Sequence, residues 1–276
     1  MVYVIWYKSS KAMGAYKHLL FLEVIVSYVI TLICFLWQPI LLCPLRAAYC
    51  TGPLCFDRVS NYVCFQAFLV SCLLIVNVHT MKVTYQIAIT YQTDNSFKKS
   101  VTNVRQTYIM FAGMVVLAVV TLSAVLLPAL LQIDPQQTNA VFIQDVPALA
   151  ELITNEPTFG GFHPDITKSS MDLILNIAFG INAIVPAFVA VICALFYYKM
   201  KQLKQHVSIA TYAVHVMMLR TMMCETLIKI ICFVIPTFFF GLTIKFELLW
   251  GSYTTTPAFA VFMMHLVFEI LTNAFK

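Results

Sequence analysis

Long apolar runs separated by short polar segments make up most of the chain. A helix that crosses a bilayer needs about 20 mostly apolar residues, and six runs reach that length. The six predicted spans cover residues 18–45, 59–81, 106–133, 173–198, 221–244 and 254–275, and a large outer loop of residues 134–172 separates the third span from the fourth. The pattern predicts an all-α, polytopic membrane helix bundle in which residues 1–276 form a single transmembrane domain.

Prolines indicate where the first span ends. Pro39, Pro44 and Pro53 follow its apolar run. Because proline lacks a backbone donor and kinks or ends a helix, these positions predict that the chain leaves the membrane and forms an outer loop, Ala47–Leu54. Membrane helices tolerate interior prolines, and static kinks or bending points are the two interpretations for Pro128, Pro186 and Pro236.

The composition agrees with a membrane protein. Hydrophobic residues make up 61% of the chain and charged residues 11%, whereas a soluble domain carries about 25% charged residues. The mean hydropathy is +0.86. The net charge of +5 does not indicate a nucleic-acid partner, because the basic residues are dispersed between apolar spans instead of forming one patch.

The distribution of lysine and arginine predicts the orientation, since these residues accumulate on the cytoplasmic side. The segment before the first span, the second loop and the fourth loop together carry eleven basic residues, and the intervening loops carry four. The eleven are Lys8, Lys11, Lys17, Lys82, Lys98, Lys99, Arg105, Lys199, Lys201, Lys204 and Arg220. These three segments are therefore predicted to face the cytoplasm.

Charged residues inside spans are costly and are functional candidates by default. Glu225 and Lys229 are four residues apart in the fifth span, and His265 and Glu269 have the same spacing in the last. This spacing places each pair on one helix face. Each pair is a candidate ligand contact or switch. The alternative, which we favour, is a pair that neutralises itself or that lies near the cytoplasmic boundary, where long side chains reach the interface. Five further polar residues are expected to bond between helices: Gln66, Asn77, His79, Asn176 and Asn182.

The sequence predicts no catalytic residue, metal site or cofactor. It contains no phosphate-binding, nucleophile-elbow or zinc-protease motif, and its nine cysteines have no metal-site spacing. Asp57-Arg58-Val59 is similar to the Asp-Arg-Tyr switch of rhodopsin-like receptors, but it lies at the outer start of a span, where that switch does not occur. An enzyme is not expected. A transporter or channel stays open as an alternative.

The N-terminal fifth of the chain resembles the nematode serpentine chemoreceptors. The resemblance is carried by Lys8-Ser9-Ser10, Met13–Lys17, Gln38-Pro39 and the loop Ala47–Gly52. Class I (Sri) is the first choice, and class H (Srh) is a near relative in the same Str-type superfamily. Ser10 and Ala48 depart from the proline and glycine usual there. The family-motif residues are Gln38, Pro39, Pro44, Tyr49 and Gly52.

The resemblance implies a GPCR-like receptor that detects environmental small molecules in olfaction. It would lie in the plasma membrane of sensory-neuron cilia and signal through a heterotrimeric G protein. Residues 1–7 align with the end of the first family helix, so most of that helix is expected to be missing, as in a truncated copy or the non-functional product of a decayed gene. If the first outer loop is extracellular, its cysteines can pair, and Cys50 with Cys55 is one such disulfide.

Overall fold

The structure, a computed structural model, describes residues 15–89, 96–131, 133–203 and 208–248, together with isolated helical positions between 253 and 264. Four stretches within these residues are long and apolar enough to span a bilayer, namely Tyr16–Trp37, Arg58–Ala88, Val104–Leu127 and His215–Lys245. The α-helices are α1 (Tyr16–Trp37), α2 (Arg58–Ala88), α3 (Ser96–Val101), α4 (Val104–Leu131), α5 (Pro135–Asp145), α6 (Leu149–Asn155), α7 (Pro164–Leu203), α8 (Ile209–Lys229) and α9 (Ile235–Lys245). The mostly helical structure agrees with the predicted all-α membrane bundle.

The first helix is shorter than the predicted span of residues 18–45. It ends at Trp37 because Gln38 takes a left-handed conformation (φ 46°) and its N–H closes the last turn on the Cys34 carbonyl. Pro39 then begins strand β1 (Pro39–Leu41), which turns back and pairs antiparallel with β2 (Ala47–Cys50). Hydropathy alone extends the helix too far, because residues 39–42 are as apolar as the helix before them.

Helix α1 packs along α2 through a continuous buried stripe. Its buried residues recur every three or four positions, which places them on one helix face. They are Tyr16, Leu19, Leu20, Leu22, Glu23, Val26, Ser27, Ile30, Cys34 and Trp37. Glu23 is the charged member of this stripe, so the packing of two helices carries an acid into the bundle interior.

Helix α2 begins with a capping box. The Asp57 carboxylate accepts a hydrogen bond from the Ser60 N–H at 2.7 Å, and the Ser60 hydroxyl accepts one from the Asp57 N–H at 3.0 Å. Such a box satisfies two backbone donors that helix starts leave unpaired. The Asp57-Arg58-Val59 sequence therefore starts a helix.

The outer surface of α4 is apolar, as expected for a helix that contacts lipid. Ile109, Val116, Leu117, Val120 and Leu131 are all more than half exposed. In water such a surface would favour association, whereas hydrocarbon solvates it.

The predicted outer loop of residues 134–172 is largely structured. Asp134 caps α5, whose first residue is Pro135, and α6 follows. Strand β3 (Gly160–Gly161) then pairs with β2, which gives a three-stranded sheet in the order β1-β2-β3. Helix α7 begins at Pro164, nine residues before the predicted start of the fourth span at residue 173.

A π-helical turn joins α8 to α9. It covers Ile230–Val234, and the Ile235 N–H bonds the carbonyl of Ile230, five residues back. Pro236 follows within the first turn of α9. Single π turns within helices occur often at functional sites, and this one starts directly after Lys229.

Candidate functional site

Five ionisable side chains from three helices meet in the interior of the bundle. Glu23 comes from α1, His79 and Lys82 from α2, and Glu225 and Lys229 from α8. We call these five residues the ion cluster. They lie in the half of the bundle that contains the start of α1 and the end of α2, which is the predicted cytoplasmic half.

Glu23 has no exposed side-chain surface. One of its oxygens accepts from the ammonium group of Lys82, and the other lies 2.5 Å from that of Lys229. A single carboxylate thus connects α1 to both α2 and α8. Because a buried charge is tolerated only when it is paired and hydrogen-bonded, the two lysines are what allow Glu23 to occupy the α1 packing stripe.

Lys82 is the centre of the cluster. Its Nζ contacts Glu23 and lies 2.7 Å from an oxygen of Glu225, and its side chain is only 2% exposed. The prediction that Lys82 lies in the second, inner loop is wrong. Helix α2 continues to Ala88, because two acids from neighbouring helices neutralise the charge. Arg220, predicted in the fourth loop, likewise lies within α8 and the span His215–Lys245. Without these two residues, the predicted inner segments carry nine basic residues against four.

Glu225 and Lys229 both have ion-pair partners on other helices. Glu225 pairs with Lys82 of α2, and Lys229 pairs with Glu23 of α1. The favoured interpretation is a pair that neutralises itself within one helix; the structure instead uses both residues to fasten α8 to its neighbours. Breaking one partner of such a buried pair costs about 3–5 kcal/mol, because it leaves an uncompensated charge.

His79 joins the cluster through both ring nitrogens. Its Nδ1 lies 3.2 Å from the Lys229 ammonium, and its Nε2 lies 3.0 Å from the Thr226 hydroxyl. Nδ1 also lies 4.0 Å from a carboxylate oxygen of Glu23. The formal charges of the two lysines and the two carboxylates of the cluster cancel.

Three residues of the ion cluster have the spacing of metal ligands. Ligand atoms of Glu23, His79 and Glu225 all lie within 4.8 Å of one another, a distance that a metal ion can bridge. However, Lys82 contacts both carboxylates, and a second cation would meet its positive charge. The arrangement is that of an ion-pair network.

A cavity opens beside the ion cluster between α2, α7, the end of α8 and the π turn. It holds about 460 Å³ of empty space, part of it open to the surroundings. We call it the inner cavity. Its walls are mainly apolar, and its polar lining comes from His79, Thr80, Thr226 and Lys229.

At the opposite end of the bundle, Asn61 links the outer sheet to the helices. Its carbonyl oxygen accepts from the Trp37 indole at 2.8 Å, and its amide donates to the carbonyls of Ala48 and Thr158. The Thr158 hydroxyl in turn bonds the backbone of Cys50. We call this set of residues, together with the sheet, the outer cap.

A second cleft lies beneath the outer cap and contains about 570 Å³ of empty space, including its open mouth. We call it the outer cleft. Most of its lining is aromatic or aliphatic, with Arg46 as the charged member. Its lining includes Trp37, Asn61, Tyr62, Phe65, Phe162 and Phe240.

The family-motif residues build the outer cap. Gln38 ends α1, Pro39 begins β1, and Pro44 lies in the turn between the strands. Tyr49 packs in the cluster formed with Phe142 and Phe159. Gly52 approaches α1 so closely that a Cβ there would lie 2.2 Å from the Leu36 carbonyl oxygen. These residues therefore position the first outer loop.

The cysteines of the first outer loop have different environments. Cys50 and Cys55 form a disulfide, which is one of the pairings that the sequence allows. Cys43 is a free, buried thiol that packs with Leu175 and Ile244. The long outer segment contains no cysteine, and Thr158 connects it to Cys50 by hydrogen bonds instead.

Other predicted polar residues have simple interhelical bonds or lie outside the described part of the chain. Gln66 donates to Ser123 of α4 at 2.6 Å, and Asn176 of α7 accepts from Lys245 at 2.6 Å. His265 and Glu269 lie outside the described residues, as does the side chain of Asn182.

Sequence reasoning missed the roles of Glu23 and Lys82, whereas His79 bonds between helices as predicted, to Thr226 and Lys229 of α8. Glu23 is visible as the one charge that interrupts the first apolar run, and its natural partners are the lysines of other spans. Isolated charges of opposite sign in different apolar runs are the available signal. To use this signal, charges in different apolar runs must be compared with each other. A four-residue spacing reveals only pairs within one helix.

Comparison with known proteins identifies the family. A family model described as serpentine type 7TM GPCR chemoreceptor Srh matches residues 1–272. Searches of the curated proteins and of the solved structures found no match. The chain belongs to the Srh family and is a multi-pass chemosensory G-protein-coupled receptor. The Srh family is not an enzyme family. Our first choice within the superfamily, class I, is corrected to class H by this match.

Proposed function

We propose that this receptor detects an environmental small molecule at the ciliary membrane of a nematode sensory neuron and activates a heterotrimeric G protein. The observation that carries the mechanism is the ion cluster, because it fastens α1, α2 and α8 through exchangeable partners in the predicted cytoplasmic half. A G protein would contact the receptor at that end.

The ligand is proposed to bind in the outer cleft. Small-molecule sites are concave and mostly apolar, with a few polar groups that fix orientation. The outer cleft has this character, since Tyr62, Phe65 and Phe162 provide apolar surface and Asn61 a polar group. Phe240 of α9 bounds the cleft on one side. Helix α9 directly follows the π turn, and the π turn directly follows Lys229.

Signalling requires that the ligand prefers one of two packings of the bundle, since a ligand with equal affinity for both shifts nothing. A movement of α9 that accompanies ligand binding would act on the π turn and so on Lys229. Because Glu23 bonds both Lys82 and Lys229, it can retain one lysine when the other moves. Partial release of α8 from α1 is the proposed active state.

The experiment is a screen of volatile and water-soluble odorants on cells that express the receptor with a promiscuous G protein. For any active compound, Phe240→Ala is expected to raise the half-maximal concentration at least ~10-fold through lost apolar contact. Phe239→Ala is the matched control, because Phe239 is the adjacent residue and is 46% exposed outside the cleft. Equal effects of the two variants would contradict ligand binding in the outer cleft, and solute flux without G-protein activation would favour a transporter or channel.

A further inference from the structure

We infer that the inner cavity binds a small amphipathic organic monoanion, a carboxylate with a short hydrocarbon tail. This site is separate from the outer cleft. Its lining residues come from α2, α7, α8 and the π turn, whereas the outer cleft lies beneath the sheet at the other end of the helices.

The charge of the cavity wall selects the sign of the ligand. Among the described residues that line the inner cavity, Lys229 is the one with a formal charge, and none is acidic. Its side chain is 14% exposed, against 2% for Lys82 and 0% for Glu23. Lys229 is therefore the cation of the cluster that a ligand in the cavity can reach, and an amine would meet it unfavourably.

The neighbouring hydroxyl supplies a second donor for the same anion. Thr226 lines the cavity, and its hydroxyl oxygen lies 3.0 Å from His79 Nε2. A hydroxyl both donates and accepts hydrogen bonds, so a ligand in the cavity can pair with it. A carboxylate has two oxygens, which can accept from Lys229 and from Thr226 together.

The rest of the wall selects an apolar tail and a single charge. Ile75, Val189, Ile230, Phe233 and Val234 provide hydrocarbon surface. A dianion would need a second cation, and Lys229 is the one residue with a formal charge in the described lining. A monocarboxylate with an alkyl chain satisfies both the cation and the apolar surface.

Binding of such an anion changes the cluster. The ligand carboxylate competes with Glu23 for Lys229, while Glu23 keeps its contact with Lys82. The link between α1 and α8 is thereby weakened. Anion binding itself does not depend on the proposed signalling role; only this effect on the receptor state rests on it.

The test measures saturable binding of radiolabelled hexanoate to the purified full-length receptor in lipid nanodiscs, with 1-hexanol and hexylamine as competitors. The double variant Glu23→Gln/Lys229→Met removes the cation at the cavity together with its partner, so no buried charge loses its counter-ion. We expect its hexanoate affinity to be at least ~10-fold lower, the scale of a lost hydrogen bond to a charged group.

The matched control is Lys245→Met, which removes an exposed lysine of α9 that bonds Asn176 and does not line the inner cavity. It is expected to bind hexanoate as wild type does. Equal binding by the double variant and by this control, or equal competition by 1-hexanol and unlabelled hexanoate, would overturn the proposal. Activation by an odorant without hexanoate binding would refute the anion site and leave the receptor function intact; hexanoate binding without any G-protein activation would support the site and count against the function.

Discussion

The two ends of the bundle are held together by different kinds of interaction. In the outer cap, neutral groups bond fixed partners: Asn61 bonds Trp37, Ala48 and Thr158, and a β-sheet and a disulfide surround it. In the ion cluster, Glu23 and Lys82 each contact two groups of opposite charge. A charged group with two partners of opposite charge can release one and stay neutralised by the other, so we place the proposed repacking at the inner end.

This difference fits the demands on a receptor. A binding site needs walls that keep their shape, because ordering a loose site costs free energy on binding. A switch needs two arrangements of similar free energy. The neutral hydrogen bonds of the outer cap suit the first requirement, and the shared charges of the ion cluster suit the second, as proposed above.

The largest predicted effect is that of Lys82→Met. It leaves Glu23 and Glu225 with fewer cations, and we expect a loss of about 3–5 kcal/mol in the free energy of unfolding. Thermal unfolding of the purified receptor in detergent measures it. Adding Glu225→Gln to Lys82→Met should recover most of the lost free energy. Lys99 is exposed, so the free energy of unfolding of the control Lys99→Met is expected to stay within about 0.5 kcal/mol of wild type. A stable Lys82→Met variant would contradict the pairing.

Asn61→Ala is expected to destabilise the outer cap by about 2–3 kcal/mol, because the Trp37 indole, the buried Thr158 carbonyl and the half-buried Ala48 carbonyl lose their partner. The melting temperature of the receptor measures this loss. Asn176→Ala removes an exposed amide that bonds Lys245 and serves as control. Similar melting temperatures for the two variants would mean that Asn61 does not hold the cap.

Gly52→Ala should cost about 1–3 kcal/mol through overpacking, because the added Cβ would lie within 3 Å of three backbone atoms of Leu36 and Trp37. Gly113→Ala is the control: it has nothing within 4 Å of the added Cβ, and alanine is favoured over glycine in a helix by about 0.5–1 kcal/mol. Melting temperatures are expected to move in opposite directions. A shift of the same sign would contradict the close approach of the loop to α1.

The smallest effect concerns Cys43, on the turn after β1. Burial raises the pKa of its thiol to about 11, against a smaller opposing effect of a hydrogen bond with Thr243. The thiolate is the reactive form, so its alkylation by iodoacetamide should keep rising about tenfold per pH unit up to pH ~10. Mass spectrometry of the labelled peptide measures this rate. A plateau near pH 9 would indicate an exposed thiol.

The sequence predicted the membrane class and the helical architecture because long apolar runs admit few alternatives. It did not predict the end of α1 at Trp37, since apolar periodicity cannot separate a helix from the strand that continues it. The ion cluster was only partly accessible: Glu225 and Lys229 stand out in the sequence, but their partners depend on how helices pack. Lys82 was misplaced in a loop because a charge at the end of an apolar run resembles a span boundary.

The most direct test of the proposed switch is the ligand-independent G-protein signalling of Glu23→Gln/Lys229→Met at wild-type surface expression. This variant removes the ion pair between α1 and α8 and keeps that between Lys82 and Glu225. We predict basal signalling several-fold above wild type, about 1 kcal/mol of shift in the balance of the two states. Basal signalling equal to that of wild type would show that the ion pair does not restrain the active state.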